Sequence, residues 1–243
     1  MVSKVAWDGY GGAFMQNANT ISAFDVIGPV MIGPSSSHTA GALRLAYLAR
    51  CLTSGERITY VRFVLYGSFA RTRQGHGTDR ALIAGILGLD ARDIRIRDAF
   101  HLAEEAGLSY RFDLDTETPR SHPNTVDMHI TTESGRVFQV SGASIGGGQA
   151  RISFIDGIKV DFRGDYHSII IRNYDRPGAI AKISDVLSEA GINIALMTVY
   201  RERRGAVAFT FIECDEAIPG EIGERLMLLP EVERAIVVAA LRP

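Results

Sequence analysis

From His167 to the C-terminus, strand and helix signals alternate in one fixed order, which leaves that region few possible topologies. "HSIIIRNY" (His167 to Tyr174) is a β-branched run that reads as a strand. "DRPGAIAKISDVLSEAG" follows, with Pro177 near the first helical position and Gly191 just past the last. Ile180, Ile183, Val186, Leu187 and Ala190 recur at three- and four-residue steps, which predicts one buried helical face. "INIALMTVY" and "AVAFTFIEC" read as two more strands, joined by the polar turn "RERRG" that ends in Gly205. "PGEIGERLMLLP" reads as a second helix with Ile222, Leu226 and Leu229 on one face, and "VERAIVVAAL" as a closing strand.

The order βαββαβ is the ferredoxin-like split unit. With "DRPG" at the first strand-to-helix turn and "AGINI" after the helix, the segment resembles an ACT domain. That family comprises small regulatory modules that bind amino acids, commonly at an interface between two copies. The resemblance implies a domain over 165–243, a homodimer formed through it, and an effector site. Asn173, Asp175 and Gly178 at the turn, with Asn193 and Ile194 after the helix, would make that site. Read without the resemblance, "DRPG" is equally a helix start with no ligand, since Pro and Gly are ordinary turn residues. Arg201, Arg203 and Arg204 read as a solvated hairpin.

The preceding segment, 24–162, has a different grammar and predicts a mixed α/β (α+β) domain. "ALRLAYLARCL" places Ala42, Leu45, Ala46, Ala49 and Leu52 on one helical face. "ITYVRFVLYGSF" reads as a strand with apolar residues on both faces, and hence buried. "GTDRALIAGILG" is a helix with Thr78 and Asp79 at its start and Leu82, Ile83, Ile86 and Leu87 inward. "DIRIR", "LSYRFDL", "NTVDMHITT", "GRVFQVSGASI" and a pair within "GQARISFIDGIKVDF" are predicted strands, and "DAFHLAEEAG" is helix-like. A linker is expected near "RGDYH". Residues 1–23 carry none of these signals and are predicted to be a flexible extension.

Hydrophobic residues make up 46% of the 243 and charged residues 22%, enough apolar material for a folded core. The 26 Lys+Arg against 28 Asp+Glu leave a formal net charge of −2 with no basic stripe, which argues against nucleic-acid binding. No apolar run approaches the roughly 20 residues that cross a bilayer, so no membrane association is expected. The first 23 residues lack the apolar segment of a secretory signal, which predicts a cytoplasmic protein. Cys51 and Cys214 lie far apart and form no CxxC pattern, so neither a disulfide framework nor a self-contained zinc site is expected.

Chemistry concentrates in "MIGPSSSHTAG" (Met31 to Gly41). Pro34 stops an early helix start, so Ser35 to His38 should form the turn into the helix, where free N–H groups favour an anion. One hydroxyl suffices for a cap, yet Ser35, Ser36, Ser37 and Thr39 are all present. His38 adds the one side chain that exchanges protons near neutrality, although a His beside a helix start is more often a surface residue. "RQGHGTDRA" sets His76 between glycines just before a helix, "RSHPNTV" brings His122 and Asn124, and "GASIGGGQA" brings Ser144 and Gly146, Gly147 and Gly148. Each alone reads as a turn or loop. Together they are four polar or glycine-rich corners able to converge on a small anion.

"FDVIGPVMIGPSSSHTAGALR", "YGSFARTRQGHGTD", "HPNT" and "SIGGG" resemble the β subunit of iron–sulfur-dependent L-serine dehydratase (L-serine ammonia-lyase) from Phe24 onward. The resemblance implies one wall of an active site, completed by a separate α subunit whose cysteines hold a 4Fe–4S cluster. This chain has no cysteine set for such a cluster and is expected to ligate no metal. L-Serine would lose water and yield pyruvate and ammonia, a step of serine catabolism and gluconeogenesis. His38, Ser36, Ser37 and Thr39 are the catalytic candidates, with His38 either an acid/base or a substrate-orienting group. Ser35, His76, Thr78, Asn124, Ser144 and Gly146 to Gly148 are the substrate-binding candidates. Two alternatives stay open: a non-enzymatic amino-acid sensor, and a regulatory part like those of some phosphoglycerate dehydrogenases. No GxGxxG fingerprint supports a dehydrogenase proper.

Overall fold

The computed structural model describes residues 35–201 and 203–241. The extension predicted over 1–23, and the chain up to Pro34, lie outside the described residues. The described residues form two sheets, one of six strands and one of four.

The serine-rich turn leads into α1 (Ala40–Cys51). Alanine, leucine and arginine favour this helix intrinsically, and it is buried over most of its circumference rather than along one stripe. The chain continues through β1 (Ile58–Tyr66), α2 (Gly67–Thr72), α3 (Thr78–Leu87), a 3-10 turn (Ile94–Asp98), α4 (Ala99–Glu105) and β2 (Ser109–Asp115). β3 (Thr125–Thr132), β4 (Val137–Gly146), β5 (Gln149–Ile155) and β6 (Ile158–Phe162) complete the first sheet, ordered β2-β1-β3-β4-β5-β6. Among the described strands, β1 and β2 form the parallel pair, joined by the helical crossover that a parallel pair needs. α1 lies between α3 and the sheet at distances that depend on two glycines. A Cβ on Gly85 would stand 2.3 Å from the Leu43 carbonyl oxygen, and one on Gly142 would stand 2.6 Å from Leu45 Cδ1.

Three expectations for this sheet need correction. The strand read through "GSF" ends at Tyr66. Gly67 turns the chain at φ +52° beneath the Pro123 carbonyl, to which Ser68 N–H donates at 2.7 Å, and α2 begins there. "DIRIR" is a 3-10 turn, not a strand, because the Asp93 carboxylate accepts from Arg95 N–H at 2.9 Å and caps it. β1 is less uniformly buried than its apolar run suggests, although Ile58 and Tyr66 at its ends are buried. Val61, Phe63 and Leu65 face the helices, whereas Arg62 is exposed on the other side.

β7 (His167–Tyr174), α5 (Ala179–Glu189), β8 (Leu196–Arg201), β9 (Val207–Cys214), α6 (Gly220–Met227) and β10 (Val232–Val238) form the predicted βαββαβ unit, with strand order β10-β7-β9-β8. Ile183, Leu187, Ile222 and Leu226 pack the helices onto Ile169, Ile171 and Ile212. The sheet's other face is not free. Ile170, Phe209, Phe211, Ile236 and Val238 join the core of the first unit, and the Phe162 and Phe211 rings lie 5.3 Å apart. The connection between the units is held to α1. Arg44 donates to the Arg163 carbonyl at 3.2 Å and to Asp165 Oδ1 at 2.7 Å, and Leu241 N–H donates to the Gly164 carbonyl at 2.9 Å.

Candidate active site

The turn before α1, the start of α2 and the loop before α3 meet at His38. The helical turn before α1 closes when Thr39 N–H donates to the Ser35 carbonyl at 3.0 Å and Gly41 N–H to the Ser36 carbonyl at 2.9 Å. Thr39 Oγ1 bonds the same Ser35 carbonyl, so this hydroxyl serves the turn. The Ser35 and Ser37 hydroxyls each lie 3.1 Å from His38 Nδ1. His38 Nε2 lies 3.0 Å from the hydroxyl of Ser68, at the start of α2. The His76 ring meets the His38 ring edge-on, with centroids 4.7 Å apart. Both ring nitrogens of His38 are thus partnered by hydroxyls, which can donate or accept as its tautomer requires. Burial, with a smaller contribution from the His76 charge, holds the His38 pKa below the ordinary imidazole value of 6.5. Its neutral form is thereby favoured.

The remaining first-unit candidates extend this cluster. His76 precedes Gly77, whose φ of +68° caps the start of α3. Thr78 and Asp79 begin that helix, and Asp79 Oδ2 stands 3.6 Å from Arg73 Nε. Asn124 N–H donates to His122 Nδ1 at 3.1 Å, and the Asn124 carbonyl accepts from Ser144 N–H at 3.0 Å. Ser144 is fully buried against α1, where a Cβ on Gly41 would stand 2.0 Å from its Oγ. Gly146, Gly147 and Gly148 carry φ values of +101°, +59° and +78° and make the tight β4–β5 turn just beyond it. No hydrogen bond among the described residues joins the Ser36 hydroxyl to His38. Three buried polar atoms here have no hydrogen-bond partner among the described residues: His76 Nδ1, Thr78 Oγ1 and Asn124 Oδ1. Native interiors seldom leave such groups unpaired.

Sequence reasoning missed Ser68, because "GSF" read as the end of a strand. The signal available was Gly67, a residue suited to the positive φ that turns Ser68 toward His38.

The effector candidates lie apart, in the second unit. Asn173 is buried, and its Oδ1 accepts from Thr210 Oγ1 at 2.8 Å. Asp175 Oδ2 accepts from Gly205 N–H at 3.0 Å and Arg201 Nη1 at 2.9 Å, bonds that hold its pKa below the usual carboxylate range. Gly178 caps α5 at φ +87° with open space where a Cβ would be, and so makes no close approach. Asn193 is exposed after the helix, while Ile194 packs onto the second core.

The iron–sulfur chemistry expected of the family does not fit the residues of this chain. Cys51 lies on α1 and Cys214 on β9, in different units. Burial raises the Cys51 thiol to about 11 and also raises that of Cys214, the opposite of what a ligating thiolate needs. No group of three or more His, Cys, Asp or Glu among the described residues is placed to hold a metal ion.

A family model described as serine dehydratase beta chain matches residues 22–152, more than half of the chain, and one described as ACT domain matches 167–227. The chain belongs to the serine dehydratase beta chain family. A probable L-serine dehydratase beta chain of Bacillus subtilis (strain 168) is 40% identical over 218 residues, covering 90% of this chain and 98% of that protein. The L-serine dehydratase beta chain of Peptoniphilus asaccharolyticus is 41% identical over 197 residues, covering 81% and 88%. A D-3-phosphoglycerate dehydrogenase of Mycobacterium leprae is 28% identical over 139 residues, which is only 26% of its length. As a serine dehydratase beta chain, the molecule carries the His38 cluster and the three unpartnered atoms within the segment matched to that family. No helix among the described residues is long and apolar enough to cross a membrane.

Proposed function

We propose that this chain is the β subunit of an L-serine ammonia-lyase, acting in the cytoplasm with a cysteine-bearing α subunit that holds the 4Fe–4S cluster. The observation that carries the reading is the edge-on His38–His76 pair, together with the unpartnered His76 Nδ1, Thr78 Oγ1 and Asn124 Oδ1. The family relation supports the substrate, and the two unpaired thiols suit a reducing compartment. Converting L-serine to pyruvate requires removal of the Cα proton and departure of the Cβ hydroxyl as water. The resulting enamine tautomerises to an imine, and water hydrolyses it to pyruvate and ammonia. In this reading the imidazoles handle the proton. His76 presents the free ring nitrogen, and His38, oriented by Ser35, Ser37 and Ser68, stands edge-on beside it. Thr78 and Asn124 bind the polar groups of serine, and Ser144 with Gly146 to Gly148 shapes the wall behind α1. Ser36 and Thr39 fix the turn through the backbone. Activation of the leaving hydroxyl falls to the partner chain.

In the same reading the second unit pairs with another copy and senses an amino acid at the Gly178 turn. β8 is an edge strand with Leu196 and Val199 exposed, a surface that pairing would cover. Gly178 and Asn193 are the groups left to meet a ligand, since Asn173 and Asp175 are bonded internally.

The test is turnover of L-serine by the chain combined anaerobically with its α subunit. His38→Ala and His76→Ala should each lower turnover on the order of a hundred- to ten-thousand-fold. His101→Ala, at an exposed ring paired only with Glu105, should leave it unchanged. Full activity in both the His38 and His76 variants contradicts the proton-transfer assignment.

A further inference from the structure

The two units meet over a cavity of about 210 Å3, away from the His38 cluster. Its floor is apolar, with Phe138 and Ile155 supplied by the first sheet and Phe209 and Ile236 by the second, all of them buried. Its rim is charged, with Arg136, Arg172 and Arg234 alongside Asp156 and Glu233. The pairing within that rim is unequal. Arg172 bridges both carboxylates, Nη1 to Asp156 Oδ2 at 3.2 Å and Nε to Glu233 Oε2 at 2.9 Å. Arg136 Nε takes Glu56 Oε2 at 3.2 Å. Arg234 has no carboxylate within ion-pair distance among the described residues, and its guanidinium stands 4.9 Å from the centre of the Phe138 ring.

One half-buried guanidinium beside an apolar floor has no carboxylate of its own, because Arg172 holds both Asp156 and Glu233 and Arg136 takes Glu56. We propose that it binds a small monocarboxylate with a branched aliphatic or phenyl body. The carboxylate sits on Arg234, whose planar fork matches it, and the body sits on Phe138, Ile155, Phe209 and Ile236. The volume lies below the roughly 300–1,000 Å3 of pockets for drug-sized ligands, which sets the size class. Both sheets line the cavity, so an occupant draws the units together. Leu52, which caps α1 at the end opposite His38, also lines it. A ligand there therefore touches the helix that carries the proposed catalytic turn.

The test uses the full chain alone, titrated calorimetrically and by thermal denaturation with 4-methylpentanoate and phenylacetate, and with 4-methylpentan-1-ol as the uncharged counterpart. The carboxylates should bind and raise the midpoint, and the alcohol should bind at least tenfold more weakly. Arg234→Gln, with an unchanged midpoint in the absence of ligand, should weaken the carboxylates at least tenfold and leave the alcohol as it was. Arg234→Lys should recover part of the loss. No binding of either carboxylate at millimolar concentration overturns the proposal, and so does equal binding of acid and alcohol. Undiminished carboxylate binding by a folded Arg234→Gln variant overturns it as well.

Discussion

His38 is held by hydroxyls on both ring nitrogens and faced by a second imidazole, so its protonation carries a cost that an exposed histidine does not bear. Its pKa lies below 6.5, chiefly through burial, and burial lowers His122 in the same direction. In the unfolded chain these groups bind protons at higher pH than in the folded one. Their neutral forms therefore add stability above the unfolded value, and that stability fades as pH falls through and below 6.5. Urea midpoints measured between neutral and mildly acidic pH should fall toward acid, and His38→Gln should flatten the slope. A slope unchanged in that variant contradicts the burial account. Ser68→Ala removes the partner of His38 Nε2 and should cost about 1–3 kcal/mol by leaving a buried polar atom unpaired, with a loss of turnover beyond that of a merely looser fold. Ser68→Thr, which keeps the hydroxyl, should restore most of the turnover. The string "SSSHT" made His38 legible in the sequence, as did the glycines flanking His76. That the hydroxyls of Ser35 and Ser37 turn inward to the imidazole was not legible, because it depends on the turn's three-dimensional closure.

At the level of elements, periodicity exposed nearly every helix and strand, because each buries a defined face. The α5 pattern of Ile183 and Leu187 and the α3 pattern of Leu82, Ile83 and Ile86 both face cores. Reading failed where a local bond, not a pattern, decides. Asp93 caps "IRIRD" into a 3-10 turn although its alternation suits a strand, and the Pro123 carbonyl, distant in sequence, bends the chain at Gly67. The close approach of α1 to α3 and to β4 was likewise hidden in single glycines. Gly85→Ala would press a methyl against the Leu43 carbonyl, a backbone atom that cannot turn away. Denaturant titration should show a loss of about 1–3 kcal/mol, the usual cost of overpacking. Gly41→Ala would press on the fully buried Ser144, whose own Cβ lies 2.9 Å from the added methyl, and should cost stability while disturbing the wall behind α1. If Gly85→Ala melts like the parent, the helix pair is looser than described.

Over the whole molecule, the second unit serves as more than an appended module. Its sheet gives Ile170, Phe209, Phe211 and Ile236 to the first unit's core, and Arg44 ties the connecting segment to α1. The sequence showed both units and the segment between them, but the side of the second sheet that packs inward depends on long-range contacts. A chain cut after Arg163 would expose Phe138, Ile155 and Phe162 to water. It should aggregate or lose its cooperative transition; a soluble fragment with the parent's transition contradicts the shared core. The central claim, that this chain supplies one wall of a two-subunit L-serine ammonia-lyase, is tested most directly by pyruvate formation. L-Serine is incubated anaerobically with this chain, with the cluster-loaded α subunit, and with both. The account predicts pyruvate only from the mixture, and its near-complete loss when the β chain carries His38→Ala. Pyruvate from this chain alone, or none from the mixture, would contradict it.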